Sequence, residues 1–76
     1  MKITDIIKSL KGRDVGSYYV IVDSKGSYFK VADGKTRKLG NPKLKNIKHV
    51  KFIDNSDIKL TNNDICKILK NYKNGD

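Results

Sequence analysis

Lysine and arginine crowd one stretch of this chain. Between Lys30 and Lys51 stand Lys30, Lys35, Arg37, Lys38, Lys43, Lys45, Lys48 and Lys51. Asp33 is the lone acid among them, and His49 is a further group able to carry positive charge. Such groups bind phosphate oxygens, and the release of condensed counterions drives the binding. A run of bases is often only a solvated face. This one is nearly free of acids and spans a hairpin tip and a proline loop, both able to reach a ligand. Tyr18, Tyr19 and Tyr28 are candidates to stack on nucleobases. Packing in the core or on the barrel surface is the preferred reading of the three, because sheet alternation cannot place them all outside.

The whole chain carries the same bias. It has 76 residues, with 17 Lys and Arg against 8 Asp and Glu, a formal net charge of +9. Self-repulsion on that scale costs stability, and a polyanionic partner is the usual reason for it. Compositional drift in an AT-rich genome would also raise lysine. It would raise glutamate too, and the chain contains none.

Enzyme chemistry is hard to build from these residues. His49 is the only histidine and Cys66 the only cysteine, so no zinc site of the two-His or Cys/His type can form. Lysines flank His49 and no carboxylate lies near it in sequence. Cys66 reads as a small packing residue rather than a nucleophile, having only Lys67 beside it to lower its pKa. Gly12-x-x-x-Gly16 lacks the Gly-Lys-Ser/Thr ending of a phosphate-cradling loop. The expectation is a binding protein with no catalytic residues, cofactor or metal.

The elements that position these groups follow from the pattern. Ile3, Ile6, Ile7 and Leu10 have helical spacing, yet the stretch is short enough for one helical turn or an edge strand. Gly12 to Gly16 is a turn, in which Asp14 can accept from a backbone N–H two residues on and Gly16 can take a positive φ. Tyr18 to Val22 is a strand apolar on both faces. Ser24 to Ser27 is a short hairpin loop. Tyr28 to Ala32 is a half-buried strand, and Asp33-Gly34 predicts a tight hairpin returning over Thr36 to Leu39. Gly40-Asn41-Pro42 stops that strand, Pro42 to Lys48 is a basic loop, and His49 to Ile53 is another strand, with Val50 and Phe52 facing one way. Thr61 can cap a helix over about 62–73, with Ile65, Ile68, Leu69 and Tyr72 as its apolar stripe, Lys67, Lys70 and Lys73 toward its end, and Gly75 to stop it. The predicted core is Val20, Val22, Phe29, Val31, Val50 and Phe52, covered by Ile65, Ile68 and Leu69. Four or five strands closing on themselves with one helix make a single small, mainly β barrel domain over 1–76. Closure would remove the exposed sheet edges.

Two blocks resemble a known family. Lys8 to Val22, with Gly12-x-Asp14-x-Gly16 before Val20-Ile21-Val22, resembles the KOW motif of ribosomal proteins and transcription elongation factors. Val31-Ala32-Asp33-Gly34-Lys35-Thr36-Arg37-Lys38-Leu39, followed by Asn41 to Val50, resembles the small bacterial KOW-domain RNA-binding proteins. Those in turn resemble the eukaryotic-type large-subunit ribosomal protein fourteen family. The likeness spans roughly residues 5–53. It implies an SH3-like barrel over that range, a first strand around Asp5 to Ser9, and association with ribosomal RNA or the ribosome in translation. Ser17 and Tyr19 stand where many KOW motifs have lysine and a further glycine, which moves the expected contact toward the Asp33–Lys51 face.

The expected RNA-binding residues are therefore Lys11, Arg13, Lys35, Arg37, Lys38, Lys43, Lys45, Lys48, His49 and Lys51. Gly12, Asp14, Gly16, Asp33 and Gly34 shape the turns. The other reading is a protein-interaction module docking on ribosomal proteins or RNA polymerase. The start of the chain lacks a secretory pattern and no stretch has the length of a membrane span. A cytoplasmic monomer is the expectation.

Overall fold

The computed structural model describes residues 1–73. Five antiparallel strands form one sheet: β1 (Ile6–Ser9), β2 (Tyr18–Lys25), β3 (Tyr28–Ala32), β4 (Lys43–Asn46) and β5 (Val50–Asp54). Their spatial order is β4-β3-β2-β1-β5. A short 3₁₀ turn over Ile47–His49 joins β4 to β5, and one helix, α1 (Asn62–Lys73), follows. The fold is mainly β and consistent with a small SH3-like domain.

β1 and β2 are buried on both faces because the curled sheet has two cores. Inside the curl, Ile7, Tyr19, Ile21, Phe29, Val31 and Val50 pack together. On the outer face, Ile6, Val20 and Ala32 pack under Ile65 and Leu69 of α1. Burying Ile65 or Leu69 is worth about 1.5–3 kcal/mol each. Adjacent strand residues thus serve opposite cores, and the apolar positions of β1 run Ile6-Ile7 without alternating. Ile3 and Leu10, which complete the helical spacing in the sequence, are exposed.

The helix starts as its sequence requires. Thr61 Oγ1 accepts from the Asp64 N–H at 3.1 Å, and the Thr61 carbonyl accepts from the Ile65 N–H at 3.0 Å. Tyr72 closes the stripe, its ring 5.6 Å from that of Tyr18. Gly75, expected to end α1, lies outside the described residues.

Four expectations are corrected. Thr36 to Leu39 is not a return strand. The Asp33 carboxylate accepts from the N–H groups of Lys35 and Arg37, at 2.9 and 2.8 Å, and this curls the chain into a loop. The sheet's fourth strand is instead Lys43–Asn46, in the segment read as a basic loop. Phe52 is not core: it sits at the rim of edge strand β5, 44% exposed, next to Met1 and Asn55. Ladder bonding leaves the sheet open, with β4 and β5 as its two edges.

Candidate functional site

The β1–β2 loop is built around Ser9. The Ser9 N–H donates to the Ser17 carbonyl, and the Ser9 carbonyl accepts from the Gly16 N–H, both at 2.8 Å. Reversing direction within so few residues requires left-handed backbone, which Gly12 (φ +98°) and Gly16 (φ +90°) supply. The loop carries Asp14 inward. Its backbone carbonyl accepts from the Ser17 N–H at 2.9 Å. Its carboxylate does not close a local turn as expected; it reaches across the curl to β4.

Four side chains converge on that carboxylate. Lys45 Nζ (2.7 Å) and Ser9 Oγ (2.9 Å) donate to Oδ1, while Tyr19 OH (2.9 Å) donates to Oδ2 and Lys43 Nζ lies 3.1 Å from Oδ2. Lys45 also donates to the Lys11 carbonyl at 2.6 Å. Burial alone would raise the Asp14 pKa. The bonds from Lys45, Ser9, Lys43 and Tyr19 outweigh it and hold the carboxyl far below the ordinary carboxylate range. Burial, together with the neighbouring Asp14 charge, pushes the Tyr19 hydroxyl well above the ordinary tyrosine range.

Above this network the free edge of β4 opens into a hollow of about 370 Å³. Lys11, Gly12, Tyr28, Lys43, Leu44, Lys45, Asn46 and His49 line it. Among the described residues β4 pairs only with β3, so backbone N–H and C=O groups along its other side have no ladder partner. The three tyrosines of the strands have separate fates. Tyr19 is buried in the inner core, Tyr18 packs between Tyr72 and Lys8, and Tyr28 is exposed at the hollow.

The basic residues divide into groups. Lys11 and Arg13 are exposed on the β1–β2 loop, Lys48 is exposed on the 3₁₀ turn, and His49 is half-buried beside it. Lys43, at the hollow, is half-buried and paired to Asp14. Lys45, expected on a reachable loop, is only 7% exposed and spends its ammonium on internal acceptors. Lys35 and Lys38 are exposed and Arg37 is half-buried on the 33–42 loop, which docks on α1 rather than at the hollow. There the Leu39 N–H donates to Asn62 Oδ1 at 2.8 Å, and Gly34 (φ +76°) approaches the Asn62 carbonyl. Lys51 is exposed on β5, opposite Lys8.

Sequence reasoning missed Ser9 and Tyr19 as partners of Asp14, and Leu44 and Asn46 as parts of the hollow. The alternation Lys43-Leu44-Lys45-Asn46 was the visible signal of a strand there. Among the described residues no group of three or more His, Cys, Asp or Glu side chains could hold a metal ion, and no helix is long and apolar enough to cross a membrane. Neither protein-family models nor curated protein sequences give any match to this chain.

Proposed function

We propose that this chain is a non-enzymatic RNA-binding module of the KOW type that works in the cytoplasm on ribosomal RNA or the ribosome. The carrying observation is the charge balance at the β4 edge. Asp14, the carboxylate beneath the hollow, is already matched by both Lys43 and Lys45. Lys11 at the wall of the hollow, Arg13 on the same loop and Lys48 beside Asn46 in the adjoining hollow are exposed and make no ion pair among the described residues, and together they offer a cationic surface for phosphates. The glycine loop directly after β1, with positive φ at Gly12 and Gly16, supports the likeness to the KOW motif. The second reading, docking on a ribosomal protein or RNA polymerase, has support in the unpaired β4 edge and in exposed Leu10, Val15 and Leu44.

Crosslinking in cells followed by sequencing of the bound RNA tests the proposal. Recovery of ribosomal RNA fragments at discrete positions is the expected result. Crosslinked protein without RNA would favour the second reading.

A further inference from the structure

Phosphate binding alone does not explain what lines the hollow at the β4 edge. Tyr28 offers an aromatic face there, 46% exposed, although the other two strand tyrosines are used in packing. Leu44, 56% exposed, adds apolar surface that a phosphate would not use. Asn46 Oδ1 accepts from the Lys48 N–H at 2.9 Å, which leaves its amide N–H groups as donors. The free edge of β4 presents alternating backbone donors and acceptors. A planar face, apolar surface and a row of mixed hydrogen-bonding groups are complementary to a nucleobase, with its π face and polar edge.

We propose that this hollow receives a single unpaired RNA base, stacked on Tyr28, with one flanking phosphate held by Lys11 at its wall and the other by Lys48, which lines the adjoining hollow beside Asn46. The inference rests on the RNA-binding reading and narrows it to a substrate class: RNA with a bulged or looped-out nucleotide. Bases stacked within an A-form duplex cannot enter, because the deep, narrow major groove and the stacking withhold both face and edge. Duplex RNA still meets the cationic surface, so it binds through phosphates alone.

The test uses the full chain and two RNA hairpins identical except for one bulged adenine, carried as a fluorescent adenine analogue. The parent should bind the bulged hairpin about tenfold or more tightly than the fully paired one, as expected for one base stacked on one aromatic ring. The analogue's fluorescence should be quenched on binding. Tyr28→Phe should keep both properties, while Tyr28→Ala should lose both and bind the paired hairpin as the parent does. Matched melting temperatures for the two variants would show that both are folded. Equal affinity of the parent for the two hairpins would overturn this inference and leave the RNA reading standing. A bulge preference that survives Tyr28→Ala would overturn the stacking platform. Failure to bind either hairpin would overturn the RNA reading with it.

Discussion

Asp14 and Lys45 lie 31 residues apart in sequence and 2.7 Å apart in space, and their ion pair ties the glycine loop after β1 to the edge strand β4. The Lys45 side chain is 8% exposed, so without Asp14 its charge would be left nearly dry with only the Lys11 carbonyl to meet it. Asp14→Ala should therefore destabilise the domain by about 3–5 kcal/mol, the usual cost of orphaning a buried charge. Adding Lys45→Met should return a good part of that loss, since the orphan is then gone. Urea denaturation of the parent, single and double variants checks this. A double variant no more stable than Asp14→Ala would show that the pair is not the source.

The same network fixes how stability depends on pH. The folded-state pKa of Asp14 is depressed, so its contribution is present above the ordinary aspartate value of about 3.9 and is lost as pH falls below it. Tyr19 is shifted upward, so its contribution is present below about pH 10 and is lost as pH rises beyond. Stability should be broad between these limits. In the Asp14→Ala/Lys45→Met variant the acid loss below about pH 4 should shrink. Melting temperature followed across pH measures both limbs.

Two glycines with left-handed backbone should respond differently to the same change. A Cβ on Gly16 meets nothing within 4 Å, so Gly16→Ala adds only backbone strain, on the order of 1 kcal/mol, and Gly16→Val up to about 3. A Cβ on Gly34 would collide with the Asn62 carbonyl oxygen and come 3.1 Å from the Cys66 nitrogen. Gly34→Ala should therefore cost more than Gly16→Ala, because the 33–42 loop must also lift from α1. Thermal melts of the two alanine variants decide it, and equal losses would contradict the close approach.

Helix α1 covers the outer core. Truncation before Thr61 should expose Ile6, Val20 and Ala32 and lower the melting temperature, and Leu69→Ala alone should cost about 2–5 kcal/mol. A truncated protein that melts with the full chain would contradict the packing role of the helix.

Those features that depend on neighbours in sequence were legible, and those that depend on distant partners were not. The strand at Tyr18 to Val22, which continues to Lys25, the positive φ of Gly16 and the helix capped by Thr61 each have a local cause and are present in the structure, although the Asp14 carboxylate does not close the local turn expected of it. Strand β4 has the sequence of a loop because its inward positions are Lys43 and Lys45. Lysines can face a core only where a carboxylate waits, and Asp14 comes from another loop. Asp33-Gly34 has the letters of a tight hairpin, but Asp33 turns its carboxylate onto the chain's own N–H groups instead. Phe52 has the character of a core residue, and only the sheet order makes β5 an edge. Within the candidate site, the exposed lysines could be named from sequence, whereas the burial of Lys45 and the freedom of Tyr28 required the fold.

The central claim, that the cationic surface at the β4 edge binds RNA phosphates, is tested most directly by RNA affinity as a function of salt concentration. Three proteins suffice: the parent, Lys11→Ala with Lys48→Ala, and Lys67→Ala with Lys70→Ala. All four lysines are exposed, and the second pair, on α1, removes equal charge away from the hollow. For the parent, affinity should fall steeply with salt, with each neutralised phosphate adding roughly 0.7–0.9 to the logarithmic slope. The Lys11/Lys48 variant should lose affinity and up to about two phosphates' worth of slope, and the α1 variant should stay close to the parent. Equal losses in the two double variants, or a parent that does not bind RNA at physiological salt, would contradict it.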